Sequence, residues 1–199
     1  MRYWNEIKHI FCCLQGIINL ELFYSKETTS LKLVGYINAM YKSDPHKACS
    51  QTNYLCYYND TIISWRSTKK TLVATFTHHY DIIVLYEVDK EFVWLRFVIS
   101  HIPSICQITP VNSFSIIIYE DNVVFVTKVR GGYIKGDKTK HISLKFFYIY
   151  ELQESRQIDV KQIHSTDNLA DLFTKSLLIS TFEKLIYSIG MWRINKLRD

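Results

Sequence analysis

Near the start of the chain apolar residues recur at steps of three and four: Trp4, Ile7, Ile10, Phe11 and Leu14 share one face of a helix over residues 3–15, which Gly16 closes. The period then drops to two. From Leu31 to Tyr36 apolar residues alternate, and the β-rich runs "TNYLCYY" and "TIISW" flank Asn59-Asp60, a pair suited to a hairpin turn. Three successive strands are predicted. From Leu72 to His101 the helical period returns, with Ile82, Leu85, Val88, Phe92, Leu95 and Ile99 on one face and Asp81, Asp89 and Arg96 between them. "SFSIIIYE" holds too few polar residues for a surface strand and predicts a central one, buried on both faces.

"VVFVTKV" leaves two structures open: its β-branched residues favour a strand, while Asn122 as a cap and Gly131-Gly132 as a stop favour a helix. Beyond it, Ile142, Phe146, Ile149 and Tyr150 mark another helix, and "IDVKQI" a last strand. "NLADLFTKSL" predicts a helix with Leu169, Leu172 and Phe173 on one face. A capping box, Ser180 to Glu183, opens the final helix, which runs through Phe182, Leu185, Ile186 and Ile189 to Gly190. Strands and helices that interleave after an antiparallel run imply a mixed sheet with helices packed on it.

The 199 residues, 48% apolar, suffice for one sizeable domain with a small appendage. Six glycines, three prolines and no low-complexity tract argue against long linkers and disorder. The excess of 24 basic over 19 acidic residues is compatible with an anionic partner without demanding one. Cys12, Cys13, Cys49, Cys56 and Cys106 are odd in number and lack zinc-ligand spacing, which argues against a disulfide framework and a structural zinc. Glu6, Lys8 and His9 interrupt any signal-peptide core, and no apolar run approaches membrane-spanning length. The expected protein is intracellular, cytoplasmic or nuclear, not secreted and without a membrane partner.

Five acids, Asp81, Glu120, Asp121, Asp167 and Asp171, fall near strand ends or on first turns of helices. Singly, each reads as a solvated or dipole-complementing residue. Converging, they would suit a divalent cation that prefers hard oxygen ligands. The pair Glu120-Asp121 after three isoleucines and a tyrosine is thus either a solvated turn or a strand end that presents charge to a ligand.

"LVGYINAMYKSDPHKACSQTNY", "TIISWRSTKKTLVA", "IIYEDN", "TKHISLKFFY" and "DNLADLFTKSL" occur in the order of the ribonuclease H region of copia-type LTR retrotransposon polyproteins, which the chain resembles over nearly its whole length. "YWNEIKHIFCCLQG" resembles the segment that joins the reverse transcriptase to that region. The resemblance implies an α/β, ribonuclease H-like fold: a mixed five-stranded sheet, its first three strands antiparallel, with helices on both faces. It divides the chain into a helical tether (1–28), the ribonuclease H-like domain (29–178) and a C-terminal helix and tail (179–199). The implied partners are an RNA–DNA hybrid and the reverse transcriptase portion of the parent polyprotein. The implied chemistry is hydrolysis of the RNA strand by two Mg²⁺ ions, or Mn²⁺, about 4 Å apart.

In that family four acids hold the ions, and the matching positions here are Asn38, Asp81, Asp121 and Asp171, of which Asp81, Asp121 and Asp171 retain a carboxylate. Asn38 offers an amide oxygen but no charge where aspartate is usual. Asp81, in place of glutamate, is shorter by one carbon, about 1.5 Å of reach, and misplacement on that scale costs on the order of a hundredfold in rate. Phe76 and Tyr80 replace small residues, Asn53 replaces a turn glycine, and the bulk of Tyr80 is expected to occlude or turn the site. The resemblance therefore implies weak metal binding and impaired catalysis. A catalytically dead nucleic-acid-binding module and a decayed pseudogene product are the alternatives.

His141 is a candidate for contact near the metals, or a structural residue at a helix start. His78 and His79 point about 100° apart on a helix and do not chelate one ion. Trp65, Arg66, Lys69 and Lys70 end the hairpin, and Lys135, Lys138 and Lys140 lie in or beside the glycine-rich basic loop Lys128 to His141. Both groups are candidates for gripping nucleic acid through phosphates and an aromatic platform, or are solvated charge clusters.

Overall fold

The computed structural model describes residues 2–24, 32–44, 49–70, 77–106, 115–132, 140–173 and 177–193. The helix α1 (Arg2–Ile17) and the short strand β1 (Leu20–Leu22) lead into the hairpin strands β2 (Leu33–Asp44), β3 (Cys49–Tyr58) and β4 (Thr61–Lys70). The long helix α2 (Thr77–Ile105) is followed by β5 (Ile116–Glu120), α3 (Val123–Gly131), α4 (Lys140–Glu154) and β6 (Ile158–Gln162). Two 3₁₀ turns (Ser165–Asp167 and Leu169–Phe173), α5 (Ile179–Ser188) and β7 (Met191–Arg193) complete the order.

The five-stranded sheet runs β4-β3-β2-β5-β6, with β2, β3 and β4 antiparallel and β5 and β6 parallel to β2. Asn59 and Asp60 close the β3–β4 hairpin with φ of 52° and 59°, the left-handed pair that a two-residue turn between twisted strands requires. Alternation along the strands builds two cores. Leu33, Ile37, Ile116, Ile118 and Val160 face the packed side chains of α2, α3 and α4. Leu55, Tyr57 and Ile62 face Leu169 of the second 3₁₀ turn and Leu185 and Ile189 at α5, with Val34 and Tyr36 packed beside them. This is the expected α/β sheet covered on both sides. On the apolar face of α2, Ile82, Leu85, Val88 and Phe92 are buried as the periodicity predicts.

The ambiguous stretch after Asn122 is a helix, because both of its ends are satisfied. The Asn122 side chain accepts from the Phe125 N–H at 3.2 Å, and Gly132, at φ 66°, donates its N–H to the Lys128 carbonyl. Three expectations fail. The stretch predicted as one helix from Asn168 opens with a 3₁₀ turn, Leu169–Phe173, since the Asn168 side chain accepts from the Ala170 N–H at 3.1 Å and donates to the Ile37 carbonyl at 2.9 Å. The capping box at Ser180 is not used: α5 starts at Ile179, its N-cap is Leu178, and that cap makes no side-chain bond. Gly16 lies inside α1 rather than after it.

The pairing of β1 with β7, Leu20 opposite Arg193 and Leu22 opposite Met191, was not predicted, because three-residue strands carry no readable period. Cys12, Cys13, Cys56 and Cys106 are free thiols. No helix among the described residues is long and apolar enough to cross a membrane.

Candidate active site

The parallel register of β2 and β5 brings two of the candidate positions level. Tyr36 lies opposite Tyr119, and Asn38 and Asp121 each come two residues later, where β5 ends. Asp171 reaches the same place from the second 3₁₀ turn, because the Asn168 amide anchors that turn to the Ile37 carbonyl, one residue from Asn38. The Asn38 amide nitrogen then donates to an Asp171 carboxylate oxygen, and both side chains are buried. Asn38 thus presents a donor to Asp171.

The second half of the site is built around Asn122. Its side-chain nitrogen donates to Asp81 on the first turns of α2 at 2.9 Å, its backbone N–H donates to Glu120 at 3.1 Å, and its side-chain oxygen caps α3. Alternation along β5 turns Ile116, Ile118 and Glu120 toward the α2 side, which leaves Glu120 only 2% exposed and its Oε2 without a hydrogen-bond partner among the described residues. Burial, then repulsion from Asp121, pushes the Asp81 carboxyl up to about 7, against the opposing pull of the Asn122 amide and Lys128. Burial and the neighbouring Asp81 hold Glu120 well above the usual carboxylate range.

Asp81, Glu120 and Asp121 therefore form one electrostatically coupled group, and Asn38 and Asp171 a hydrogen-bonded pair beside it. Sequence reasoning placed Glu120 among the acids but gave it no role at the site. It also missed the linking role of Asn122 and all of Asn168. The signal for both asparagines was their position one residue before a helix or turn, where a short amide competes for backbone N–H groups.

The remaining candidates lie elsewhere. His141 is exposed on the first turn of α4, and none of the bonds that join the acids includes it. Tyr80, next to Asp81, is fully buried, with its hydroxyl 2.8 Å from that of Thr52. Asn53, opposite Asn38 in the β2–β3 register, is also fully buried, and neither side-chain polar atom has a partner among the described residues. Trp65 pairs with Leu55 and Arg66 with Tyr54, so strand alternation puts Trp65 and Lys69 on one face of the sheet and Arg66 on the other. Phe76, Lys135 and Lys138 lie outside the described residues, as do the side chains of His78, Lys70 and Lys140.

The oxygens at the strand ends are hard donors of the kind a divalent cation takes. As arranged, they do not fit one. Among the described residues no group of three or more His, Cys, Asp or Glu side chains is placed to hold an ion. One Asp171 oxygen is spent on the Asn38 amide and one Asp81 oxygen on the Asn122 amide.

No family model matches the chain. It is 26% identical over 189 residues to the retrovirus-related Pol polyprotein from transposon TNT 1-94 of Nicotiana tabacum, a match that covers 95% of this chain and 14% of the polyprotein. It is likewise 26% identical over 192 residues to the Pol polyprotein from transposon RE2 of Arabidopsis thaliana, covering 96% of this chain and 13% of that one. The chain thus spans about one-seventh of the length of the curated relatives it matches. Among solved structures it is similar to LC11-RNase H1, isolated from compost by a metagenomic approach, with a TM-score of 0.52 and 12% identity over 79% of this chain and 99% of that one. The same ribonuclease in complex with an RNA/DNA hybrid matches with a TM-score of 0.50 and 12% identity over 70% of this chain and 91% of that one. Fold and sequence agree: the chain has the ribonuclease H fold and resembles, over almost its whole length, part of the Pol polyproteins of copia-type transposons.

Proposed function

We propose that this chain is a retrotransposon-derived ribonuclease H domain whose reaction, hydrolysis of the RNA strand of an RNA–DNA hybrid, is impaired. The fold, the likeness to Pol polyproteins and the hybrid complex of LC11-RNase H1 support the substrate class. The observation that carries the impairment is the bond from the Asn38 amide to Asp171. A donor stands where the family places a carboxylate, so Asp171 is satisfied internally and the pocket is short of one formal negative charge. With Asp81 pushed up to about 7, a further fraction of the charge is lost at neutral pH. An Mg²⁺ or Mn²⁺ ion would find less attraction here than among four ionised carboxylates. Asp81, Asp121 and Asp171, the carboxylates retained at the family's metal positions, would hold an ion only once the Asn38 and Asn122 amides release Asp171 and Asp81.

The reverse transcriptase portion of a parent polyprotein is the proposed neighbour of α1, whose Trp4, Ile10 and Phe11 are each at least 60% exposed. Trp65 and Lys69 on the exposed β4 edge are the described residues best placed to meet a hybrid from one side. A substrate of this kind places the working compartment inside the cell, in the cytoplasm or nucleus.

The test is a labelled-hybrid cleavage assay with Mg²⁺ or Mn²⁺, comparing the unaltered chain with Asn38→Asp and with Asn38→Asp combined with Asp81→Glu. The double variant is expected to cleave on the order of a hundredfold faster. Brisk cleavage by the unaltered chain would overturn the impairment. Binding of the hybrid without cleavage by any variant would favour a nucleic-acid-binding module.

A further inference from the structure

The sheet face turned away from α2 holds a cavity of about 430 Å³, within the range of small-ligand sites. Its floor is the outer face of β2 and β5: Val34, Tyr36, Ile117 and Tyr119. Tyr36 and Tyr119 stack with ring centroids 5.2 Å apart and planes 29° apart, and Tyr57 meets Tyr36 edge-on at 5.8 Å. Leu169 and Leu185 form the far wall. The rim carries two lysines, Lys32 and Lys184, and two aspartates, Asp60 and Asp167; Lys184 bonds Asp167 at 2.6 Å.

These features select a ligand class. Stacked phenols take a flat aromatic ring whatever its substituents, as base–aromatic stacking does in nucleic-acid proteins. The Tyr36 phenol, protonated at neutral pH like any tyrosine, has an O–H to donate to a ring nitrogen or carbonyl. The rim charges balance, which gives a phosphate no net attraction, while the carboxylates offer acceptors for sugar hydroxyls. We propose that the cavity between the tyrosines of β2, β3 and β5 and the α5 wall binds a nucleoside, its base against the Tyr36–Tyr119 pair and its sugar at the rim. The ligand is free nucleoside or the unpaired terminal nucleotide of a strand; both present the same flat base and hydroxylated sugar.

Calorimetric titration of the full chain with adenosine, uridine, AMP and a short single-stranded oligonucleotide tests this. Adenosine or uridine should bind saturably, AMP should gain little over adenosine, and Tyr119→Ala should weaken binding about tenfold while Tyr119→Phe retains it. Leu144→Ala, on the exposed surface of α4 across the sheet, should leave affinity unchanged. Binding of the oligonucleotide as well as the nucleoside assigns the site to strand ends, and binding of nucleoside alone assigns it to the free compound. No saturable nucleoside binding, or equal affinity in a Tyr119→Ala protein that melts like the unaltered chain, overturns the proposal. The titration involves no cleavage, so its failure and that of the nuclease proposal are separately visible.

Discussion

Asp89 sits in the middle of α2 with no exposed surface, and neither of its carboxylate oxygens has a hydrogen-bond partner among the described residues. Burial alone holds its carboxyl well above the usual range, because no donor or cation favours the charged form. The position lies among α2 side chains whose burial the apolar face explains, so an acid there costs stability. Asp89→Asn is expected to raise stability by roughly 1–3 kcal/mol at neutral pH, read as a higher denaturation midpoint. The same chemistry sets a pH dependence. Asp81, Asp89 and Glu120 all have folded pKa values raised above the unfolded ones, so the folded state binds more protons than the unfolded state above the ordinary carboxylate range. Their stabilising contribution is complete below about pH 4 and fades as pH rises, for Asp81 through about 7. Urea denaturation should therefore give a lower midpoint at pH 8 than at pH 5. A combined Asp89→Asn, Glu120→Gln variant should flatten that difference, and an unchanged slope would show that these carboxyls are not the cause.

Packing of α2 on β2 depends on a missing side chain. A Cβ built on Gly35 would lie 1.8 Å from the Phe92 ring, so helix and strand approach closely only because glycine is there. Gly35→Ala should cost about 1–3 kcal/mol through the displaced ring, measurable as a lower melting temperature. The start of α3 has a similar economy. Asn122 caps the helix and also holds Asp81, so Asn122→Ala should cost about 1–2 kcal/mol for the cap. Asn122→Ser, which keeps the cap but lacks the amide, should recover most of the stability while raising the Asp81 pKa further. Carboxylate titration followed by NMR would show that separation.

Over the molecule as a whole, the two ends are joined while one of them stays unpacked. Pairing of β1 with β7 brings Leu22 and Met191 against the Leu55–Leu185 core, whereas every side chain described in α1 is exposed. An apolar stripe that includes Trp4 at 61% and Phe11 at 67% exposure is a large patch for a free surface. A chain that starts at Ile18 should keep the melting temperature of the full chain and associate less in sedimentation velocity. A large fall in melting temperature would mean that α1 packs on the domain after all.

Where the pattern was periodic and local, the chain could be read directly. The α2 face from Ile82 to Phe92, the Asn59-Asp60 hairpin and the buried strand ending at Glu120 follow from side-chain spacing and turn chemistry between near neighbours. The acids were visible as residues for the same reason. Their relations were not, because each is set by a partner far along the chain. Asn168 breaks the predicted helix by bonding to Ile37, 131 positions away, and Asp171 turns the Asn38 amide into a donor across 133. Periodicity records which face a side chain takes. It does not record which atoms of distant segments meet there, and at this site those meetings decide how much negative charge remains.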